Sequence, residues 1–156
     1  MSLDPGSRFP SLPLQDLAGH PVDPVKLLGD VPLSLVGFGH QDCDTTRLTL
    51  PYLDRMHRLG ARVLAILQDD AAGAAALQER IGAFAMPVLL DPSPYRFGAE
   101  IQAKVVPILW LLGSGLVVEA GSEGFRRADL ESFAARLGLG APFFKPGEKA
   151  PALRPG

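Results

Sequence analysis

Any chemistry of this chain's own falls on one sulfur atom. Cys43 is the single cysteine among 156 residues. It lies in Gly39-His40-Gln41-Asp42-Cys43-Asp44-Thr45-Thr46-Arg47, where an apolar stretch hands over to an amphipathic one. Upstream, Val31 to Phe38 is a short apolar run with β-branched and aromatic members, the pattern of a strand buried on both faces. Downstream, Leu48, Tyr52, Met56 and Leu59 recur at helical spacing among Arg47, Asp54, Arg55 and Arg58. Cys43 therefore stands at the start of a helix, where unpaired backbone N–H groups and the helix dipole favour an anion. A thiolate is such an anion, and the chemistry to expect is nucleophilic attack by sulfur. Asp42 and Asp44 oppose the charge, while Arg47, one turn along, favours it.

Each of these residues also has a plainer reading. A free cysteine is often just a small buried hydrophobe. Asp44 or Thr45 can serve as the N-cap of the helix. His40 reads as a loop histidine before a catalytic base, and His20 and His57 read as surface residues. Three scattered histidines and one cysteine make no metal site and no intrachain disulfide, so neither metal nor cofactor is expected. Gly37-Phe38-Gly39 lacks the third glycine and the acidic partner of a dinucleotide fingerprint.

Composition bounds the setting. Apolar residues make up 47% of the chain, enough for the core of one ordinary domain. A net charge of −2 and a pI near 5.9 give no reason to expect nucleic acid or an anionic membrane as partner. No apolar run approaches the roughly 20 residues that cross a bilayer. Met1 to Gly6 has neither a basic start nor an apolar stretch, so no signal peptide is expected and the cytoplasm is the expected compartment.

The remaining elements must position Cys43. Residues 4–30, rich in Pro and Gly, suggest an edge hairpin followed by one helical turn from Pro24 to Leu28. Gly60 closes the helix after Cys43, and Ala61 to Gln68 is a second buried strand. Asp69-Asp70 can cap an Ala-rich helix over Ala71 to Ile81. Met86 to Asp91 reads as a strand, Asp91 to about Gln102 as helical, and Pro107 to Leu112 as a strand. Gly113-Ser114-Gly115 reads as a hairpin loop with Leu116 to Glu119 returning. Ala128 to Leu137 is a final amphipathic helix. Gly138 to Gly156 reads as a loosely held Pro/Gly-rich tail. The fold class is α/β, a mixed central sheet flanked by helices, parallel at first and antiparallel at its end.

The order of elements and the residues at their joints resemble the thioredoxin superfamily over residues 8–137, with the TlpA-type oxidoreductases and AhpC/TSA peroxiredoxins as the nearest branches. Phe9 to His20 resembles the N-terminal hairpin of redoxins, "F-x-L-x-D-L-x-G". Leu50-Pro51-Tyr52-Leu53 is similar to the "M-P-x-L" kink of TlpA-type helices. Val106-Pro107-Ile108-Leu109 stands where the family has its cis-proline, and Leu111 to Val117 resembles the hairpin "L-I-D-x-x-G-x-I-V". The resemblance implies a thioredoxin-like domain over 4–137, with an N-terminal hairpin extension and the segment 138–156 as a tail. The family's Cys-x-x-Cys window falls on Cys43-Asp44-Thr45-Thr46, so Thr46 replaces the resolving cysteine. Dithiol turnover within this chain is thereby excluded.

Three functions follow from that departure. The first is a monothiol redox protein in which Cys43 attacks a disulfide and an external thiol resolves it. Its partner would be a low-molecular-weight thiol, such as glutathione or bacillithiol, or a protein disulfide. Thr46 would then donate to the thiolate, Arg47 would support it, and Val106 and Pro107, with His40, would position the partner. The second is a one-cysteine peroxidase, since Cys43 to Leu48 resembles the peroxiredoxin run "C-T-T-E-L", as do Gln78 to Gly82 and Pro87 to Pro92 its later passage. Yet His40 stands where that family has Thr or Ser, and Lys104 to Pro107 where it has an arginine. The third is a redox-silent binding module that uses the groove beside Pro107 and the C-terminal tail. Homodimerisation is left open.

Overall fold

The structure is a computed structural model that describes residues 3–156. In chain order the elements are β1 (Leu14–Gln15), β2 (Pro21–Val22), α1 (Pro24–Leu28), β3 (Ser34–Gly39), α2 (Asp44–Arg58), β4 (Val63–Leu67) and α3 (Ala71–Ile81). There follow β5 (Val88–Leu90), α4 (Arg96–Glu100), β6 (Ile108–Leu112), β7 (Val118–Glu123), β8 (Phe125–Arg126), α5 (Arg127–Arg136) and β9 (Leu153–Arg154). One 7-stranded sheet runs in the order β2-β1-β5-β4-β3-β6-β7. β3, β4 and β5 are parallel, and β6 and β7 return antiparallel on the far side of β3. The β1–β2 hairpin closes the other edge against β5, where its prolines cost no ladder bond.

The strands alternate between two cores, as their pleat requires. Leu35, Val63, Ala65, Leu67, Leu109 and Leu111 face α2, α3 and α5. Val36, Phe38, Leu64, Ile66, Trp110 and Leu112 face the N-terminal segment, α1 and α4. Gly37 lets α2 lie close, since a Cβ there would come within 2.5 Å of Leu53 Cδ1. α2 runs through Pro51 without a break, losing only the backbone bond that a proline cannot donate. The Asp70 carboxylate accepts from Gly73 N–H at 2.8 Å and starts α3 at the position its sequence implies.

Several expectations need correction. The helical segment after Asp91 is only α4, because its first turn is taken up by Pro92 to Tyr95. The Asp91 carboxylate instead accepts from the Phe97 and Gly98 N–H groups. The loop after β6 holds a 3-10 turn over Ser114–Leu116, and the returning strand starts only at Val118. The largest correction concerns the tail, which is not loosely held. Phe143 and Phe144 are 5% and 2% exposed and join the core on the α2 side. Their N–H groups donate to the two oxygens of Glu131 at 2.7 and 2.8 Å. Arg55 pairs with Glu148, and β9 forms a two-stranded sheet with β8.

Candidate functional site

β3 and β4 are parallel, so the loops that follow them emerge side by side at one end of the sheet. The first of these loops carries Cys43. A turn closed by Cys43 N–H and His40 C=O at 3.1 Å brings the chain round, and Arg47 N–H to Cys43 C=O at 3.0 Å begins α2. Cys43 itself is the N-cap residue, in extended conformation, and its side chain caps nothing. That corrects the expectation for Asp44 and Thr45, which sit one and two positions inside the helix. The Cys43 thiol is half-buried and donates to the Val106 carbonyl oxygen at 3.5 Å. The Val106–Pro107 peptide bond is cis, and Gly124 N–H bonds to Pro107 C=O at 2.8 Å. The structure thus brings Cys43, Val106 and Pro107 together.

The other residues singled out from sequence hold the loop. The Arg47 guanidinium donates to the Gln41 carbonyl and the Asp44 carboxylate. Thr46 is fully buried, and its Oγ1 accepts a long bond of 3.4 Å from His40 N–H. It lies so tight against Gly39 that a Cβ there would be 2.5 Å from Thr46 Cγ2. His40 turns to Asp69, with Nε2 at 3.4 Å from Oδ1, while its Nδ1 accepts Asp42 N–H at 3.0 Å. Since Nδ1 accepts, the imidazole proton belongs on Nε2, facing the carboxylate.

Sequence reasoning missed the role of Asp69. This residue is 6% exposed, and its Oδ2 also accepts Gln41 N–H at 3.0 Å. Burial pushes its carboxyl above the usual aspartate value, against the pull of the Gln41 N–H and His40. The signal was present in Asp69-Asp70. Only the second residue is needed to cap α3, and the first follows a strand parallel to β3. Among the described residues no cluster of three or more His, Cys, Asp and Glu could hold a metal, and no helix is long and apolar enough to cross a membrane.

No protein-family model matches the chain, and no curated protein is similar to it in sequence. Solved structures do match. A candidate thiol:disulfide interchange protein DsbE from Chlorobium tepidum is 24% identical with a TM-score of 0.73, covering 89% of this chain and 100% of that one. A candidate protein disulfide isomerase from Bacteroides thetaiotaomicron is 16% identical at a TM-score of 0.73, covering 88% and 92%. A thiol:disulfide interchange protein from Bacteroides sp. is 19% identical at 0.68, covering 91% and 95%. At these identities the likeness defines the fold, and the fold is thioredoxin-like. Cys43 lies at its helix start and Pro107 at its facing loop.

Proposed function

We propose that this chain is a monothiol redox protein of thioredoxin fold, with Cys43 as nucleophile in thiol–disulfide exchange. The observation that carries the reading is the half-buried Cys43 sulfur, placed at the N-cap of α2 and 3.5 Å from the carbonyl of Val106. A helix N-terminus suits an anionic nucleophile such as a thiolate. The thiolate attacks one sulfur of R–S–S–R′, forming Cys43–S–S–R and expelling R′–S⁻, which takes up a proton. An external thiolate R″–S⁻ then attacks the R sulfur, releasing Cys43 and forming R–S–S–R″. Thr46 supplies no second thiol, so the external thiol is required. Glutathione, bacillithiol or a protein thiol fits that role. The similarity of the fold to thiol:disulfide interchange proteins supports the reading.

Peroxide chemistry finds less support. His40 and Arg47, which could orient a peroxide, are engaged with Asp69 and with Gln41 and Asp44. The test is reaction of the reduced chain with a small chromogenic disulfide, native and urea-unfolded. The folded chain should release chromophore faster than the unfolded one, and Cys43→Ser should release none. A folded chain slower than the unfolded one contradicts the proposal.

A further inference from the structure

The last residues of the chain do not leave the molecule but lie across the site. In β9, Leu153 pairs with Arg126 and Arg154 with Phe125. Arg127 N–H donates to the Ala152 carbonyl at 3.0 Å, and Thr45 Oγ1 donates to the Pro155 carbonyl at 2.7 Å. Gly156 comes up against the Val106 peptide, so close that a Cβ would be 2.1 Å from the oxygen to which the Cys43 thiol donates. All six residues from Pro151 to Gly156 are exposed. Of these, Arg154 is the one with an ion pair, to Asp44 at 3.5 Å. The segment is thus held by its main chain, through a sheet edge, a hydroxyl and a close backbone contact. That is how a groove recognises an extended peptide by strand addition, with little regard to side chains.

We propose that β8, Thr45 and Val106 form a dock for an extended polypeptide, and that residues 152–156 occupy it in cis. A polypeptide disulfide must lift this strap to reach Cys43, whereas a small disulfide need not. The occupancy stands by itself, and only its effect on substrate choice rests on the reactivity of Cys43. Phe143 and Phe144 anchor the strap a few residues upstream, which gives it the effective concentration of a tethered ligand, on the order of millimolar. A strand that would bind at about 0.1 mM when free then keeps the dock closed roughly tenfold over open.

Two variants of the full chain open the dock from opposite sides. Gly156→Ala sets a methyl against the Val106 carbonyl. Gly124→Ala sets one 2.7 Å from the Arg154 carbonyl and 3.1 Å from Gly156 N. Cys43 is labelled with iodoacetamide and, separately, with a decapeptide carrying an activated disulfide. Both variants should react roughly tenfold faster than the parent with the decapeptide, relative to their iodoacetamide rates. A fluorescent peptide of residues 151–156 should bind the Gly156→Ala chain and not the parent. Unchanged rate ratios in both variants, with iodoacetamide still labelling Cys43, would overturn the dock. Should Cys43 react with neither reagent in any folded chain, the redox reading fails separately. The fluorescent peptide then decides the dock, with binding supporting it and no binding overturning it.

Discussion

Replacing Phe144 by Ala asks whether the tail belongs to the folded core. The Phe144 ring lies 4.9 Å from that of Tyr52, 5.2 Å from Phe143 and 6.2 Å from Phe125, all tilted or edge-on. Arg127 sets its guanidinium 4.9 Å over the face. Emptying such a site removes the transfer free energy of the ring and leaves a cavity, about 3–5 kcal/mol for Phe→Ala. The ring pairs and the cation place it in the middle of that range, at about 4 kcal/mol. A side chain on a loose tail would change stability by about 0.5 kcal/mol at most. Urea unfolding followed by the fluorescence of Trp110, the chain's single tryptophan, separates these cases. The midpoint should fall with the slope m unchanged, and Tm should drop by about 8–16 °C for a chain of this size. A loss below about 1 kcal/mol would refute the packing of the tail.

Further outcomes follow from the same contacts. Arg55 holds the Glu148 carboxyl at about 2, below its ordinary 4.5. Between those values the unfolded chain binds the extra proton. The pair therefore stabilises fully above pH 4.5, and that contribution fades as pH falls toward 2. Partial exposure and screening hold it to about 1 kcal/mol, so Glu148→Gln should be less stable than the parent near neutrality and equal to it in strong acid. Asp69→Ala strands the Gln41 N–H and the His40 ring and should cost about 2–3 kcal/mol in urea unfolding, while Asp69→Asn, which keeps an acceptor, should cost less. Thr46→Cys restores a second thiol one helical turn from the first. Exposure to oxidised glutathione should leave this variant with an internal disulfide and no adduct by mass, whereas a lasting adduct would show the new thiol out of reach.

The central fold was legible where local pattern decides structure. The apolar runs of β3 and β4 and the Ala-rich stretch after Asp70 announced their elements to within three residues, and the parallel-then-antiparallel sheet followed from their order. The placement of Cys43 at a helix start was legible for the same reason. What escaped depends on partners distant in sequence. Phe143 and Phe144 sit in a Pro/Gly-rich stretch with no periodicity, and their burial is decided by Tyr52 and Phe125. Asp69 became part of the Cys43 loop only because β4 lies beside β3. The Asp91 cap replaced the early turns of a longer helix because two prolines and Tyr95, at φ 61°, stand between Asp91 and α4.

Intact mass after brief exposure of the reduced, folded chain to oxidised glutathione at neutral pH tests the proposed chemistry most directly. Each chain should gain one glutathione, mapped to Cys43, absent from Cys43→Ser and removed by added thiol. A folded chain that stays unmodified while its urea-unfolded form takes up the adduct would show a sulfur shut away from disulfides, and would contradict it.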